Sequence, residues 1–313
     1  MTEEEFLLED RIAKIQSVIR KYGEENFYIS FSGGKDSTVL HYLFDVALPN
    51  NRIPRVYANT GIEYKEIEKF VKDLEQKDDR FQIIKPSVPI KTMLEEDGYP
   101  FKSKFHSGVL ATFRNMGMKS LWVRTYLGVD VSKNGIPKHG KRLCPKGLKY
   151  QFEEGFDLKI SDKCCDRLKK EPMHKWSEEN KRPYAIIGIM PSEGGQRESA
   201  ICMAFDGGGK LKAFQPLVPV TKEWEDWFIE KYDIKLCKLY YPPYNFNRTG
   251  CKGCPFNINI QRELDTLDKF FPKERKQCEL IWKPVYEEYR RIGYRKMRPL
   301  EWGRQMTIDE FLN

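Results

Sequence analysis

Apolar residues in the N-terminal part of the chain switch between a helical and a strand-like spacing. An apolar stripe with spacings of four, three and four residues is formed by Leu8, Ile12, Ile15 and Ile19. This period predicts an amphipathic helix over residues 4–22. Phe27–Phe31 is instead a short run of aromatic and β-branched residues, which is typical of a buried strand. It gives way to two glycines and then to a second helical pattern.

Strand-like and helical segments continue to alternate further along the chain. Arg55–Ala58 and Phe81–Ile84 are β-prone, and the spacing between them predicts a helix over about residues 62–76. Residues 184–189 predict a later buried strand, and a helical pattern follows near residues 221–232. Strands that alternate with helices pair in parallel through right-handed crossovers. The predicted fold class is therefore α/β, with a parallel sheet flanked by helices.

The sequence shows no sharp division into domains. No segment repeats with a period of about 20 to 50 residues, and no low-complexity linker interrupts the chain. Helical patterns occupy the C-terminal part from about residue 261 to 292. We expect residues 1–260 to form one α/β domain with a basic insertion at about residues 99–149. We expect residues 261–313 to form a helical C-terminal extension.

The composition is that of a globular protein without membrane spans. The 313 residues (37.0 kDa) are 40% hydrophobic and 32% charged. No run reaches the roughly 18 apolar residues that a membrane-spanning helix needs. The acidic opening of the chain is unlike a secretory signal or a transit peptide. We therefore expect a cytoplasmic protein with no membrane partner.

Positive charge is concentrated in one segment. The net charge is +8, but residues 101–149 hold eleven Lys or Arg and one acid, Asp130, so the remaining residues are slightly acidic. Five aromatic residues are interleaved with these cations: Phe101, Phe105, Phe113, Trp122 and Tyr126. Aromatic rings that stack on bases, next to cations that contact phosphates, are typical of a DNA- or RNA-binding surface. A solvated face and a cationic lid over a bound ligand are the other two interpretations.

The most informative short motif lies where the first strand gives way to a helix. It consists of Ser32, Gly33, Gly34, Lys35, Asp36 and Ser37. Two glycines let the backbone turn tightly around an anion, and the first N–H groups of the following helix point at it. The lysine supplies positive charge, and the aspartate is a ligand type that Mg²⁺ prefers. The motif is neither the Walker loop nor the dinucleotide-binding motif, so it predicts a phosphate site of another kind.

Four of the eight cysteines fall into two close groups. They are Cys164, Cys165, Cys251 and Cys254. In a reducing compartment such groups favour metal or redox chemistry over disulfides. Four thiolates suit either a tetrahedral zinc site or a 4Fe-4S cluster. Zinc is usual for a C-x-x-C pair, whereas adjacent cysteines are uncommon zinc ligands, so the residue types leave both metals open.

The Ser32–Ser37 motif resembles the S-G-G-x-D-S loop of the phosphoadenosine-phosphosulfate reductase and ATP-pyrophosphatase superfamily. The resemblance implies a Rossmann-like fold of the adenine nucleotide alpha-hydrolase type, with ATP or another adenine nucleotide at the C-terminal edge of the sheet. It also implies Mg²⁺ as a cofactor, and Lys35 and Asp36 as catalytic residues. The superfamily usually has D-T-G after the second strand. Here the residues are Asn59, Thr60 and Gly61, so this chain lacks that carboxylate.

The cysteines resemble the cluster motif of the iron-sulfur sulfonucleotide reductases, in which an adjacent pair is followed by G-C-x-x-C. This resemblance implies a 4Fe-4S cluster on the four cysteines and places Lys169 beside it, where a cation would tune the cluster's potential. A weaker match follows the strand at residues 184–189. It implies that Arg197 contacts phosphate or sulfate through a two-pronged hydrogen bond.

The C-terminal part departs from the reductases, which use a cysteine in an E-C-G-x-H segment as the nucleophile. This chain has no cysteine after Cys278. It therefore resembles more closely the DNA phosphorothioation sulfurtransferase and the cluster-dependent tRNA thiolases of the same superfamily. That resemblance implies an enzyme that adenylylates a substrate oxygen with ATP and then transfers sulfur from a donor protein, with nucleic acid as acceptor.

Two alternatives and one accessory residue complete the sequence interpretation. The first alternative is a sulfonucleotide reductase with a displaced cysteine, and the second is a non-catalytic, zinc-containing nucleic-acid-binding module. Cys144 lies among Arg and Lys residues, and such surroundings lower the pKa of a thiol. It is the accessory candidate for a thiol that carries sulfur.

Overall fold

The computed structural model of the chain describes residues 1–130, 142–191 and 199–298. Two compact units are present. The first unit contains Met1–Glu96 and Lys163–Lys252. The second contains Asp97–Asp162 and the described residues from Gly253 onward.

The helices and strands alternate as the sequence predicts for the first half of the chain. The helices are α1 (Glu3–Tyr22), α2 (Lys35–Ala47), α3 (Lys65–Glu75), α4 (Ile90–Asp97), α5 (Lys104–Met116), α6 (Leu121–Leu127), α7 (Glu171–Glu179), α8 (Lys222–Lys231), α9 (Ile260–Phe270), α10 (Pro272–Ile281) and α11 (Lys283–Arg291). The strands are β1 (Phe27–Phe31), β2 (Arg55–Ala58), β3 (Phe81–Ile84), β4 (Tyr184–Ile187), β5 (Met203–Phe205) and β6 (Leu211–Phe214).

The strands form one sheet in the first unit, with the order β3-β2-β1-β4-β6-β5 across the described residues. Only β5 is antiparallel to its neighbour; the other pairs are parallel. Ile29 of β1 pairs with Arg55 of β2 on one side and with Ile186 of β4 on the other. After β1, the chain therefore adds β2 and β3 on one side of β1, and then adds β4 on its other side. Such a switch point opens a crevice at the carboxyl ends of the two strands, where ligands bind in α/β folds.

The core of the first unit follows from the alternation of side chains along β1. Phe27 and Ile29 are fully buried in the cluster formed with residues of α1, α2 and α8. Tyr28 points to the opposite face and packs with Val56 and Trp176. Successive strand residues face opposite sides of a sheet, so both faces of β1 are covered, as a central parallel strand requires.

The second unit brings the basic insertion and the C-terminal helices into one core. The ring of Phe101 in the insertion lies 4.7 Å from that of Tyr289 on α11, measured between centroids. His106 on α5 is fully buried, with Nδ1 2.8 Å from Tyr126 Oη and Nε2 2.7 Å from Gln151 Oε1. Burial lowers the pKa of His106 to about 4, so it is neutral near pH 7.

The sequence predictions hold well for the first unit. The predicted strands β1, β2 and β3 have the observed bounds, and the strand predicted at residues 184–189 ends at Ile187. The α/β fold class is confirmed, and the C-terminal region is helical. Helices α4 to α6 and strands β5 and β6 were not predicted; all of them except the 13-residue α5 are short. Within the described ranges, no helix combines the length and the apolar character needed to cross a bilayer.

Candidate functional site

The Ser32–Ser37 motif lies at the switch point of the sheet, directly after β1. Gly33 has a positive φ of 70°, and Gly34 precedes the first residue of α2. Gly188, which follows β4, approaches the same loop so closely that an added Cβ would lie 3.1 Å from the Asp36 carbonyl oxygen. The carboxyl ends of β1 and β4 thus meet around the start of α2, where backbone N–H groups face the crevice.

The N–H groups of this loop are satisfied by side-chain hydroxyls. Gly34 N donates to Ser32 Oγ at 3.3 Å, and Lys35 N donates to Tyr240 Oη at 3.0 Å. Ser32 Oγ lies 2.9 Å from Ser37 Oγ, and Tyr240 Oη lies 2.7 Å from Thr249 Oγ1. Phosphate oxygens accept from the same kind of donors at a helix N-terminus. In this structure these N–H groups thus have hydroxyl oxygens as their acceptors.

Acidic side chains from α8 face the loop. Lys35 Nζ lies 3.1 Å from Glu225 Oε2 and also forms an ion pair with Asp226. Glu225 is 3% exposed, and its Oε1 has no hydrogen-bond partner among the described residues. Burial, and then the neighbouring Asp36 carboxylate, raises the pKa of Glu225 to about 7. Sequence reasoning missed these acids because they lie about 190 residues from Lys35.

A second polar group lies after β2, the strand next to β1. The Glu63 carboxylate is buried and accepts from Thr60 N at 2.9 Å and from Thr60 Oγ1 at 2.8 Å. Lys169 Nζ lies 3.3 Å from Glu63 Oε1. The chain has Asn59 where the superfamily has an aspartate, and Asn59 Oδ1 accepts from Gly61 N at 3.0 Å. Glu63 is thus a carboxylate at this strand end that the motif comparison did not identify.

Lys169 connects this acid to two of the predicted cysteine ligands, Cys165 and Cys251. Cys251 is the largest influence raising the pKa of Lys169, with smaller contributions from Glu63 and Cys165. Cys164 directly precedes Cys165 and is buried. Burial raises the pKa of Cys251 to about 11, although Lys169 acts in the opposite direction. The structure therefore brings Lys169, Cys165 and Cys251 together within the first unit.

A buried hydroxyl close to this group has no partner. Tyr57 on β2 is 2% exposed, and its Oη makes no hydrogen bond within the described part of the chain. Glu63 and Cys251 are among the groups that act on it. A bound sulfide or thiolate is an acceptor that such a hydroxyl could use. The soft thiolates, the cation and this donor fit an iron-sulfur cluster.

The second half of the C-x-x-C segment is held inside the second unit. Gly253 N donates to Glu263 Oε1 at 2.8 Å, and Tyr286 Oη donates to the Gly253 carbonyl. A Cβ at Gly253 would lie 2.8 Å from Cys278 Sγ, so no larger residue fits without a shift. Tyr289 Oη donates to the Pro255 carbonyl at 2.9 Å. Helices α9 to α11 therefore shape the loop that carries Cys254.

The predicted metal ligands are not arranged as a finished site. In the described ranges, no three His, Cys, Asp or Glu side chains are placed to hold a metal ion. Arg197 lies outside the described residues.

The structure corrects the interpretation of Cys144. This thiol is 5% exposed, and its Sγ lies 3.6 Å from the Pro145 carbonyl oxygen. Burial outweighs the neighbouring cations and raises its pKa. Cys144 is thus not an activated thiol, contrary to the expectation from its basic neighbours.

The basic segment keeps only part of the surface that its sequence predicts. Phe101 and Tyr126 are buried, so they cannot stack on a base, whereas Trp122 is 39% exposed. Arg124 forms an ion pair with Asp130 at 2.7 Å. Other exposed apolar residues of the same segment include Met116, Met118 and Leu121.

Sequence comparison assigns the family. The model of the phosphoadenosine phosphosulfate reductase domain matches residues 26–115 and 128–257, which together are more than half of the chain. The chain belongs to this family. The match includes the Ser32–Ser37 motif, Lys169 and the four clustered cysteines.

Individual relatives of this reductase-family chain are distant. A 103-residue segment, 30% of the chain, is 34% identical to an uncharacterized protein of Methanocaldococcus jannaschii and spans 25% of that protein's length. The chain thus matches only about a quarter of this curated relative.

Among solved structures, the chain has weak similarity to a phosphoadenylyl-sulfate reductase of Candida auris in a phosphate complex, with a TM-score of 0.42 and 11% identity. The match covers 76% of this chain and 91% of the other. It also has weak similarity to an FMN adenylyltransferase of Candida glabrata, with a TM-score of 0.44 and 12% identity. That match covers 76% of this chain and 58% of the other. A third similar structure is the U34-tRNA thiolase NcsA of Methanococcus maripaludis with its 4Fe-4S cluster, with a TM-score of 0.39 and 18% identity. That match covers 95% of this chain and 82% of the other. All three TM-scores lie below 0.5, so none of these structures bears on the chemistry of this chain.

Proposed function

We propose that this reductase-family chain binds ATP with Mg²⁺ at Ser32–Ser37 and uses it for sulfur transfer. The observation that carries the proposal is the placement of two groups after neighbouring strands of one unit. The phosphate loop follows β1, and the Glu63–Lys169 pair with Cys165 and Cys251 follows β2. An activated oxygen and a sulfur source would then meet at one edge of the sheet.

The proposed reaction has two displacement steps. The acceptor oxygen attacks the α-phosphorus of ATP, and pyrophosphate leaves. A sulfur nucleophile supplied by a donor protein then attacks the atom bearing that oxygen, and AMP leaves with it. Adenylylation is needed because oxygen bonded to carbon or phosphorus is otherwise a poor leaving group. Lys35 and the N–H groups at the start of α2 bind the phosphates, and Asp36 holds Mg²⁺, which neutralises their charge.

We propose a 4Fe-4S cluster on Cys164, Cys165, Cys251 and Cys254. When bound, it would supply an iron position for a sulfur ligand. Lys169 would offset thiolate charge, and the Tyr57 hydroxyl would donate to a sulfur atom. Arg197 is proposed as a further phosphate contact.

A sulfonucleotide reductase is the second candidate, because the family is named for that reaction. Its chemistry needs a thiolate that attacks sulfur. Cys278 is the last cysteine in the chain, and it is 0% exposed and packed against Gly253. A buried thiol in a helix cannot reach a substrate, so the structure favours the ATP-dependent reaction.

The nucleotide assignment predicts that Asp36→Asn weakens Mg²⁺-dependent ATP binding by about tenfold or more, as loss of a metal-site carboxylate usually does. Equilibrium binding of a fluorescent ATP analogue, with and without Mg²⁺, measures the effect. Asp73→Asn is the control, because Asp73 pairs with Lys69 on the exposed surface of α3. Equal affinities of the Asp36 variant and the parent would remove Asp36 from the site. Release of sulfite and AMP from a sulfonucleotide with a dithiol would support the reductase instead.

Nucleic acid is our proposed acceptor, and Trp122 and Lys119 are the proposed contacts. Both are exposed in the second unit, whereas Phe101 and Tyr126 are buried. An exposed indole next to exposed cations suits a single-stranded DNA or RNA, because every base offers a face for stacking.

For the acceptor, we expect Trp122→Ala to weaken oligonucleotide binding by about 1–3 kcal/mol without changing its salt dependence. Lys119→Ala should instead reduce the log–log salt slope by about one unit. Phe6→Ala and Lys77→Ala are matched controls, since both residues are exposed in the first unit. Fluorescence anisotropy over a salt series measures both effects. Absence of binding at low salt would make a small molecule the better acceptor.

A further inference from the structure

The two oxygens of the Glu225 carboxylate lie in different surroundings. Oε2 is 3.1 Å from Lys35 Nζ, whereas Oε1 is buried and has no hydrogen-bond partner among the described residues. The residue is 3% exposed on the first turn of α8. A bare carboxylate oxygen away from water is costly, so an uncompensated one in a crevice indicates a missing positive partner.

A like charge lies close to the Glu225 carboxyl group. Asp36, on the first turn of α2, acts on Glu225 as a neighbouring carboxylate. The only cation paired with Glu225 in the described part of the chain is Lys35, and Lys35 is shared with Asp226. One ammonium faces three carboxyl groups, so the charge next to the phosphate loop is net negative even when Glu225 holds a proton. This charge would repel a triphosphate unless a multivalent cation entered with it.

The chemistry of the pair suits Mg²⁺ in particular. Magnesium is usually held by one or two carboxylates and takes its other ligands from phosphates and water. The lack of any set of three protein ligands in the described ranges agrees with that pattern. Asp36 and Glu225 come from the first turns of two different helices, so a cation held by both would take one protein ligand from each helix.

We propose that Glu225 is the second protein ligand of the divalent cation that enters with the nucleotide, and that Lys35 exchanges Glu225 for a phosphate oxygen as the cation binds. The inference rests on the proposed ATP site and adds to it a ligand from α8. In the ligand-free protein Lys35 holds the Glu225 carboxylate in place. In the nucleotide complex, Glu225 Oε1 and Asp36 face the cation from opposite helices.

The test compares Glu225→Gln with Asp226→Asn. Both substitutions remove a carboxylate that pairs with Lys35, but the Asp226 side chain is 60% exposed and does not share the buried position. ATP-analogue affinity is measured across a Mg²⁺ titration, and bound Mn²⁺ is counted by electron paramagnetic resonance in the presence of ATP. We expect Glu225→Gln to raise the half-saturating Mg²⁺ concentration by about tenfold or more, with Asp226→Asn close to the parent.

The outcomes separate this inference from the proposed function. Suppose that ATP binding by the parent depends on Mg²⁺ and that Glu225→Gln has the same half-saturating Mg²⁺ concentration. Glu225 is then not a ligand of the cation, and the proposed ATP site is unaffected. Equal shifts in both variants would assign the effect to Lys35 pairing and would also overturn the proposal. A parent that binds no ATP overturns both. Circular dichroism and thermal unfolding report whether Glu225→Gln is folded; if it is not, Glu225→Asp takes its place and must show a raised Mg²⁺ requirement.

Discussion

Protein purified without oxygen is expected to contain about four irons per chain, and Cys251→Ser is expected to lose most of them. Cys251 is the thiol that acts most strongly on Lys169, and Cys165 acts on the same ammonium. Replacing a thiolate by a hydroxyl removes a soft ligand, and the remaining three cannot hold the cluster stably. Because metal binding and folding are coupled, the variant should also unfold at a lower temperature. Iron and sulfide analysis with visible absorption measures the loss.

Cys202→Ser is the matched control for this experiment. Cys202 is half-buried and lies 3.9 Å from Arg11 Nη1, and it is not part of either cysteine group. Its variant should keep the parent's iron content. Stoichiometric zinc without iron in the parent would contradict the cluster and favour the zinc-containing binding module. Retention of full iron by Cys251→Ser would show that another residue completes the ligand set.

Gly33→Ala is expected to destabilise the first unit by about 2–5 kcal/mol and to abolish measurable ATP binding. Two costs add at this position. The φ of +70° is unfavourable for any residue with a Cβ. The added Cβ would also lie 2.8 Å from Ile67 Cγ2 and 3.0 Å from Val71 Cγ2 on α3, so the loop or the helix must move. Displacement of the loop turns its N–H groups away from the phosphates.

The control separates the two costs. Gly61 has a similar φ of +79°, but no atom lies within 4 Å of a Cβ built there. Gly61→Ala should therefore show only the conformational cost of about 1–2 kcal/mol. Chemical denaturation measures the loss of unfolding free energy in both variants, and the difference between the two losses is the cost of overpacking. Equal destabilisation of the two would mean that α3 does not limit the phosphate loop.

Local patterns were enough to predict the sheet around the phosphate loop. The bounds of β1, β2 and β3 could be predicted because each is a compact β-prone run between turn residues and helical periods. The position of Ser32–Ser37 between β1 and α2 followed from the same alternation. Short elements were harder, since β5 has three residues and β6 four, too few for a period to show.

Other features depend on which distant segments meet. Glu225 and Tyr240 contact the loop from about 190 to 205 residues away, and nothing in their own neighbourhood marks them as site residues. The C-terminal helices look uninformative as a sequence, yet Tyr286 and Tyr289 hold the carbonyls of Gly253 and Pro255. Burial likewise reverses the pKa shift that the basic neighbours of Cys144 suggest.

The amino-acid sequence by itself determined the α/β class, the Ser32–Ser37 motif, the cysteine pattern and, through these, the family. Each of these depends on residues close together in the chain, where periodicity and spacing reflect the backbone directly. Only the tertiary structure decided which carboxylates face Lys35, which aromatic residues of the basic segment remain exposed, and which segments surround the cysteines. Those outcomes depend on packing between elements far apart in sequence, and packing sets both the burial and the electrostatic partners of a side chain.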